Sequence, residues 1–231
     1  MISYGIISAT FAEVERLVDM MSGKEELIAQ RKLFIRGKLK NSDIVLCICG
    51  VGKTNAAHGT AVLLDKFNTR QIYIIGIAGA YPSSGMEIGD IAIADREIYG
   101  DEGLSLGAEF KMMDTLKLPL AEVNGVEYYN EFPVHVPAEL ATYKHKGAFV
   151  TVSSCTGTRR RGLEIERSFG AICENMEGAA IAHVCLLNSV SVVEIRGISN
   201  IIEDRADQPL NKADIRTAIE NVQGFFLDKV L

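Results

Sequence analysis

Two glutamates, an arginine and an asparagine lie close to the ends of apolar segments in this sequence. Glu13 and Glu177 each follow a short β-branched run, Arg196 ends another, and Asn200 lies shortly beyond Arg196. Carboxylates can act as general bases or stabilise positive charge in a substrate, while an amide side chain donates and accepts hydrogen bonds. In open α/β sheets, ligands bind at the carboxyl ends of the strands. These four side chains are therefore candidates for one catalytic site.

Both glutamates also have structural interpretations. Thr10 and Glu13 have the Thr-x-x-Glu spacing of a capping box at a helix start. Spacing alone favours the capping box, whereas a position at the mouth of the sheet favours a general base. Glu177 would suit the first turn of a helix through the macrodipole. The small apolar run Gly178–Ala182 predicts that this helix is buried, and a buried glutamate needs a partner or a ligand.

Two glycine-rich segments also follow predicted strands. Gly50-Val51-Gly52-Lys53-Thr54 is similar to the end of a phosphate-binding P-loop, but that motif requires glycine at the position of Cys47. The segment therefore predicts a tight turn into a helix that packs closely on the sheet. In Gly76-Ile77-Ala78-Gly79-Ala80 the small residues would let a ligand approach the backbone, although a plain strand–loop turn has the same composition.

The elements that must position these residues alternate along the chain. The predicted strands are Tyr4–Ile7, Ile44–Cys49, Gln71–Ile77, Asp90–Ala94, Ala148–Val152, Ala171–Glu174 and Ser191–Arg196. The predicted helices are residues 11–21, 54–67, 159–168, 177–187 and 212–230. This alternation predicts an α/β fold with a central mixed β-sheet and helices on both faces. Because no linker interrupts the chain, we expect a single domain over residues 1–231.

Composition excludes several classes of protein. The 231 residues carry 24 Lys and Arg against 30 Asp and Glu, and a net charge of −6 argues against a surface for nucleic acid or an anionic membrane. The 5 cysteines are scattered, with no histidine in ligand spacing, which predicts reduced thiols and no metal site. The first residues lack the pattern of a signal peptide, and no apolar run is long enough to span a bilayer. The expected compartment is the cytoplasm.

Short segments, taken in order, give the sequence its resemblance to a known family. They are Gly5-Ile6-Ile7-Ser8-Ala9 with Glu13, Gly50-Val51-Gly52-Lys53, Gly76-Ile77-Ala78-Gly79, Gly89-Asp90-Ile91, Asn175-Met176-Glu177-Gly178-Ala179-Ala180-Ile181-Ala182 and Arg196-Gly197-Ile198-Ser199. The set resembles the nucleoside phosphorylase/nucleosidase superfamily, and its hydrolytic nucleosidases in particular, over nearly the whole chain. The resemblance implies a nucleoside phosphorylase-like fold, a small-molecule nucleoside substrate, no cofactor and no metal. It also implies a homo-oligomer, a dimer or larger, with loops such as Phe110–Leu120 at an interface.

Two families of nucleosidase differ at one position. Methylthioadenosine/S-adenosylhomocysteine nucleosidases carry an aspartate after Arg-x-Ile-Ser, where this sequence has Asn200. The segments Arg196–Arg205, Ala78–Pro82 and Tyr99–Gly103 look like futalosine hydrolase, a family that releases hypoxanthine in the futalosine route to menaquinone. Adenine offers an amino donor beside N7, whereas hypoxanthine offers two acceptors, O6 and N7, to which an amide can donate. In the alternative, structural interpretation, Asn200 only caps the end of the strand.

The resemblance implies a role for each candidate residue in hydrolysis of an N-glycosidic bond through an oxocarbenium-like transition state. Glu13 deprotonates the attacking water, and Glu177 binds the ribose hydroxyls and stabilises the growing positive charge. Asn200 holds N7 and O6 of the purine, and Arg196 helps to place the water and the carboxylates. The expected substrate-binding residues are Ala78, Gly79, Ser154, Cys155, Met176 and Ser199.

Three other interpretations stay open. The chain could be a methylthioadenosine nucleosidase, a purine nucleoside phosphorylase, or a nucleoside sensor without catalysis. Ile77 replaces a hydroxyl residue of the adenosine-type enzymes, and the segment Val152–Gly157 lacks their stacking aromatic residue. An arginine near the 5′ end of the sugar would suit the carboxyphenyl ketone of futalosine. The unranked candidates for it are Arg159, Arg160, Arg161 and Arg205.

Overall fold

A computed structural model describes residues 3–107, 109–206 and 209–231 of the protein. The strands among these residues are β1 Ser3–Ser8, β2 Ser22–Ala29, β3 Lys32–Leu39, β4 Ser42–Ile48, β5 Thr69–Ala80, β6 Ile91–Tyr99, β7 Gly103–Leu106, β8 Glu109–Met112, β9 Ala121–Val123, β10 Val126–Tyr128, β11 Glu131–Pro133, β12 Lys146–Thr151, β13 Ala171–Asn175 and β14 Ser191–Ile201. The α-helices are α1 Glu15–Met20, α2 Lys53–Lys66, α3 Met113–Leu116, α4 Arg159–Phe169, α5 Gly178–Leu187 and α6 Lys212–Lys229, and a 3₁₀ turn covers Ala138–Leu140.

The sequence patterns located most of these elements. Every predicted strand overlaps a strand of the structure, and four predicted helices match α2, α4, α5 and α6 closely. The helix predicted over residues 11–21 is shorter, because a turn precedes α1. No element was predicted where β2 and β3 form a hairpin. The reason is that β2 is exposed along nearly its whole length and so lacks an apolar–polar alternation.

The central sheet is mixed, as predicted. It has ten strands, of which β4, β1, β5 and β14 run parallel to their neighbours in that order. A second parallel group consists of β6, β12 and β13. The groups meet in antiparallel pairs, β13 with β5 and β14 with β6. Because β14 pairs with both β5 and β6, the strands β5, β14, β6, β12 and β13 close into a ring.

Helices cover both faces of the sheet. One apolar core contains Ala56 and Leu63 of α2 together with Ala180 of α5, and the other contains Leu17 of α1 and Phe226 of α6. Burial of these side chains is the main favourable contribution to the stability of the fold.

Strand β5 shows how the sheet separates the two cores. Its residues alternate between them, with Ile72 and Ile74 in one core and Tyr73 and Ile75 in the other. A strand buried on both sides has the near-continuous apolar sequence seen here, and it holds the residues after it rigidly.

The described residues contain neither a membrane-spanning helix nor a cluster of metal ligands. No helix in those ranges is long and apolar enough to cross a membrane. No group of three or more Asp, Glu, His or Cys side chains within them is arranged to hold a metal ion. Four cysteines are buried free thiols, and Cys155 is exposed.

Candidate active site

A cavity of about 510 Å³ opens where the candidate residues come together. Glu13, Glu177 and Asn200 all line it, although they lie far apart in the sequence. Much of the remaining wall is apolar or small, which is typical of a pocket for an organic molecule. The structure thus brings the two glutamates and the asparagine to one place.

Glu13 is held firmly at the cavity wall. It is 4% exposed, and its Oε2 accepts hydrogen bonds from Ser8 Oγ at 3.1 Å and from the amide and hydroxyl of Thr10 at 2.8 and 2.9 Å. Its Oε1 accepts from the amide of Ile77 at 3.1 Å. A Cβ on residue 76 would lie 2.8 Å from this oxygen, so Gly76 leaves room for the carboxylate.

The capping-box interpretation of Glu13 is wrong. Helix α1 begins at Glu15 behind Val14, which makes no side-chain cap, so neither Thr10 nor Glu13 has a place in a helix start. The amide of Thr10 does donate to the Glu13 carboxylate, as in one half of the motif. The Thr10 hydroxyl donates to the same carboxylate oxygen instead of accepting from the Glu13 backbone. These contacts position the Glu13 side chain rather than cap a helix.

Glu177 precedes the first turn of the buried helix α5 and is itself 5% exposed. Its Oε1 accepts a hydrogen bond from the amide of Gly52 at 2.9 Å, and its Oε2 lies 3.5 Å from Arg196 Nη1. A buried carboxylate was expected to need a partner, and Glu177 has two, the amide of Gly52 and the guanidinium of Arg196. Met176 lies at the cavity wall beside Glu177.

Arg196 lies behind the cavity wall rather than in it. It is 2% exposed, its Nε donates to Glu194 Oε1 at 2.8 Å, and its Nη1 donates to the carbonyl of Ile77 at 3.3 Å. Burial alone would lower the pKa of Arg196, but the charges of Glu194, Glu177 and Glu13 raise it above its usual value. The guanidinium therefore stays charged and supports the carboxylates.

A second pair of carboxyl groups lies deeper, and neither was a candidate from the sequence. Glu97 and Glu194 are both fully buried beside Gly178, where a Cβ would lie within 2.6 Å of an oxygen of each. Burial, and then the charge of Glu194, raise the pKa of Glu97 well above its usual range. Glu194 Oε2 lacks a donor among the described groups unless Glu97 is protonated. A proton on Glu97 can therefore be shared with Glu194 as a hydrogen bond between the two side chains.

Asn200 presents its amide nitrogen towards the cavity. Its Oδ1 accepts a hydrogen bond from Ser199 Oγ at 2.9 Å. A Cβ on residue 79 would lie 2.8 Å from Asn200 Nδ2, so Gly79 leaves the nitrogen accessible. Ser199 also approaches the carbonyl of Ala78 at 3.2 Å, which ties the end of β14 to β5. Asn200 is thus a hydrogen-bond donor placed at the cavity.

The remaining predicted binding residues divide into two groups. Ala78, Gly79, Ser199 and Cys155 line the cavity, and Cys155 Sγ contacts Met176 Sδ at 3.4 Å. Ser154 is exposed and lies outside the described wall. Its role in binding stays a prediction.

The loop after β4 is the tight turn that was expected. Gly50 and Gly52 have φ angles of 92° and 93°, and α2 begins directly after them. A Cβ on residue 59 would lie 2.8 Å from the Cβ of Cys49, which shows how closely α2 packs on the sheet. Lys53 forms ion pairs with Asp101 at 2.6 Å and Glu102 at 2.7 Å, so it is already neutralised and does not serve a phosphate.

The candidate arginines lie in different surroundings. Arg159 pairs with Glu203, and Arg160 and Arg161 face Glu164 on the exposed surface of α4. Arg205 lines the cavity. Among the four candidates, Arg205 is the one that lines the cavity, and its Nη2 also donates to the carbonyl of Ile201 at 3.2 Å.

Glu174 is a charged cavity residue that was not among the candidates from the sequence. It is 6% exposed and lines the wall, but it is the last residue of a predicted strand, where alternation is interpreted as core packing. A charged residue at the carboxyl end of an otherwise apolar strand was a signal for it. For Glu194 the corresponding signal was a charged residue in the middle of an apolar run.

The side chains at the cavity could together catalyse cleavage of a bond to an electron-poor carbon atom. Glu13 is placed to act on a water in the cavity, because its carboxylate lines the wall and four donors hold it in position. Glu177 can bind hydroxyl groups and stabilise positive charge. Asn200 can hold an acceptor on a leaving group.

Comparisons with known proteins agree on one family. Residues 3–230 match the model of the Phosphorylase superfamily. The chain is 32% identical over 206 residues to 5′-methylthioadenosine/S-adenosylhomocysteine nucleosidase from Staphylococcus haemolyticus, with 88% of each chain covered. It is 32% identical over 216 residues to the enzyme of the same name from Listeria monocytogenes, covering 87% of this chain and 88% of the relative.

Solved structures show the same fold. The nucleosidase of that name from Neisseria meningitidis, in complex with methylthio-immucillin-A, superposes with a TM-score of 0.81 at 23% identity, covering 99% of this chain and 98% of the other. Futalosine hydrolase of Helicobacter pylori superposes with a TM-score of 0.80 at 19% identity, covering 97% and 95%.

Proposed function

Because the chain belongs to the phosphorylase superfamily, we propose that this nucleosidase hydrolyses the N-glycosidic bond of futalosine and releases hypoxanthine, as a step towards menaquinone. The family and the nucleosidase reaction are the premise, and the 6-oxopurine substrate is the proposal.

The observation that carries the proposal is the orientation of Asn200. Ser199 holds its amide oxygen, and its Nδ2 points to the open side of Gly79. Hypoxanthine presents two acceptors, O6 and N7, on one edge, so a donor there is complementary to it. Adenine presents the N6 amino donor beside N7, so the Asn200 nitrogen could donate to N7 only, and the N6 donor would lie next to it without an acceptor.

The carboxylates supply the chemistry of the hydrolysis. Water attacks C1′ of the ribose as Glu13 takes its proton, and the electron pair of the C1′–N9 bond moves into the purine. Glu177 hydrogen-bonds the ribose hydroxyls and stabilises the positive charge that develops on the ring. The purine leaves with its acceptors held by Asn200 and takes up a proton from solvent. Arg196 acts as a positioning residue behind both glutamates.

The outer part of the cavity supports an aromatic 5′ group. Val51, Leu210, Ile215 and Ile219 line it, and the exposure of Val51 and Leu210 places them towards solvent. An apolar wall of this kind would pack against the phenyl ring of futalosine.

A second candidate is a methylthioadenosine/S-adenosylhomocysteine nucleosidase. The names of the relatives from Staphylococcus haemolyticus and Listeria monocytogenes favour it. The same apolar wall would also take a methylthio group.

One assay separates the candidates. The purified protein is incubated with futalosine or methylthioadenosine in buffer without phosphate, and the free base is identified by chromatography. We expect hypoxanthine from futalosine and little adenine from methylthioadenosine. Adenine as the dominant product would reject the futalosine assignment. No release without phosphate would point instead to a phosphorylase.

Two variants test the assigned roles in the same assay. Asn200→Asp replaces the donor by a carboxylate, and we expect it to lower futalosine cleavage and to raise methylthioadenosine cleavage. Glu13→Gln should lower kcat by about 10²- to 10⁴-fold, because the amide cannot take a proton from water. A Glu13→Gln variant with unchanged turnover would contradict its role as the base.

A further inference from the structure

Glu174 and Asn200 face each other across β5. In the sheet register, Glu174 of β13 pairs with Gly79 on one side of β5, and Asn200 of β14 pairs with Gly79 on the other. Residues paired across neighbouring strands point to the same face of a sheet. Strands lie about 4.8 Å apart, so the two backbones are separated by about 10 Å, which is room for a flat heterocycle between their side chains.

The Glu174 carboxylate is well ordered but not fully used. Its Oε1 accepts a hydrogen bond from the amide of Thr156 at 2.7 Å, and its Oε2 accepts from Thr156 Oγ1 at 2.6 Å and Tyr81 OH at 3.3 Å. A carboxylate offers about four acceptor positions, so one remains. Because Glu174 lines the cavity, that acceptor position is available to a bound molecule.

The surroundings of Glu174 balance its burial. Burial raises the pKa of its carboxyl, while the hydrogen bonds from Thr156 and Tyr81 and the charge of Arg205 lower it. The same Arg205 lines the cavity and donates its backbone amide to the carbonyl of Gly157. A cation therefore supports the negative charge of Glu174 from the loop side.

We propose that Glu174 accepts the N1–H of the purine, so that Glu174 and Asn200 together select a 6-oxopurine; this rests on the proposed function. In hypoxanthine the N1–H donor stands next to O6, and a carboxylate is its natural partner. In adenine N1 carries a lone pair, which a carboxylate repels. Each of the two side chains thus rejects adenine at a different atom, which makes the selection stronger than Asn200 alone would give.

The competing explanation is that Glu174 only holds a loop in place. Thr156 follows Cys155 directly, and both its amide and its hydroxyl bind the carboxylate. If the role of Glu174 is purely structural, its loss lowers kcat/KM for all substrates alike. A contact with N1 predicts that the preference between bases changes.

The test is Glu174→Gln, assayed with futalosine and with methylthioadenosine. The Thr156 amide needs an acceptor, so the glutamine oxygen takes the Oε1 position, where the unused acceptor position lies, and the NH₂ group faces Thr156 Oγ1 and Tyr81 OH. The variant keeps an acceptor for N1–H but loses the negative charge that strengthens this bond to a 6-oxopurine and repels N1 of adenine. We expect kcat/KM for futalosine to fall by about tenfold and that for methylthioadenosine to stay or rise.

The matched control is Glu166→Gln. Glu166 is also a carboxylate that accepts from a loop amide, that of Ser83 at 3.1 Å, but it lies outside the cavity. We expect kcat/KM for both substrates to stay unchanged in this control. An equal fall for both substrates in Glu174→Gln, or no change, would overturn the N1 contact and leave the proposed function standing. Release of adenine alone by the unaltered enzyme would overturn both.

A second measurement needs no variant. Hypoxanthine and 1-methylhypoxanthine are compared as inhibitors of the unaltered enzyme, because the methyl group removes only the N1–H donor and adds bulk at that atom. We expect the inhibition constant to rise at least about tenfold on methylation. Equal inhibition by the two bases would contradict the proposed contact.

Discussion

At the scale of single residues, the centre of this molecule is a charge arrangement around Arg196. Its guanidinium lies among the buried carboxyl groups of Glu13, Glu177 and Glu194, and Glu97 lies next to Glu194. Buried charges are costly unless they are paired and hydrogen-bonded. A proton shared by Glu97 and Glu194 removes one negative charge from this cluster.

The shared proton predicts how stability depends on pH. Because the pKa of Glu97 is raised in the folded protein, the native state binds more protons than the unfolded chain between the ordinary carboxyl pKa and the raised value. Stability contributed by this group is present below that window and is lost as pH rises through it. Glu194→Gln removes the part of the effect that comes from the charge of Glu194, because its amide can donate to an ionised Glu97 and accept from Arg196, while the part that comes from burial stays.

The measurement is the free energy of unfolding in urea from about pH 5 to about pH 9. We expect Glu194→Gln to fold and to have a flatter profile than the unaltered protein, by about 1.4 kcal/mol for each pKa unit removed. Glu220→Gln, at an exposed ion pair with Arg216, serves as control and should keep the original slope. Parallel profiles for the two variants would contradict the shared proton.

At the scale of elements, the loop between β4 and α2 holds the carboxylate of Glu177. The amide of Gly52 binds Glu177, which belongs to a different part of the chain. Gly52 has φ 93° and ψ 160°, a conformation that is essentially restricted to glycine. In the proposed mechanism this loop therefore acts through its backbone amide, which holds Glu177, rather than as a phosphate-binding loop.

Gly52→Ala tests this loop. A Cβ at residue 52 meets nothing within 4 Å, so any cost comes from the backbone conformation alone. We expect about 1–3 kcal/mol of lost stability or a shifted loop, together with a higher KM, because Glu177 loses its amide partner. Gly23→Ala, with φ 62° and also no neighbour within 4 Å, is the control for a left-handed glycine away from the cavity. If both variants keep an unchanged KM, the loop does not position Glu177.

At the scale of the whole molecule, the expected homo-oligomer stays a prediction. Strands β7 and β8 form a separate two-stranded sheet beside the predicted interface segment Phe110–Leu120. Leu104 and Leu106 on β7 are 42% and 50% exposed, and Leu118 is 56% exposed. Exposed apolar side chains grouped in this way are typical of interaction sites.

Leu106→Lys tests the predicted assembly. A charge in an apolar interface should dissociate it, because the lysine would lose its hydration there. We expect the unaltered protein to sediment as a dimer or larger and the variant to sediment as a smaller species with an unchanged circular dichroism spectrum. Lys24→Glu, on the exposed strand β2, is the control for a charge change elsewhere. An unaltered protein that sediments as a monomer would reject the homo-oligomer.

The elements of this protein were largely readable from its sequence. Apolar periodicity is a local property, so β5 and α5 could be predicted without knowledge of their neighbours. Because polar residues at strand ends stand out against such runs, Glu13, Glu177 and Asn200 were recognised as candidates. The hairpin of β2 and β3 was missed because its exposed residues carry no such periodicity.

The tertiary structure alone decided which groups face one another. Glu97 of β6 and Glu194 of β14 meet beside Gly178 because the sheet closes into a ring that contains both strands. Glu174 and Asn200 flank Gly79 because β13 and β14 both pair with β5. Such pairings depend on strand register and on closure of the sheet, which join residues distant in the chain and leave no mark in local sequence. The sequence by itself determined the residue types and the ends of the strands, and the register determined their chemistry.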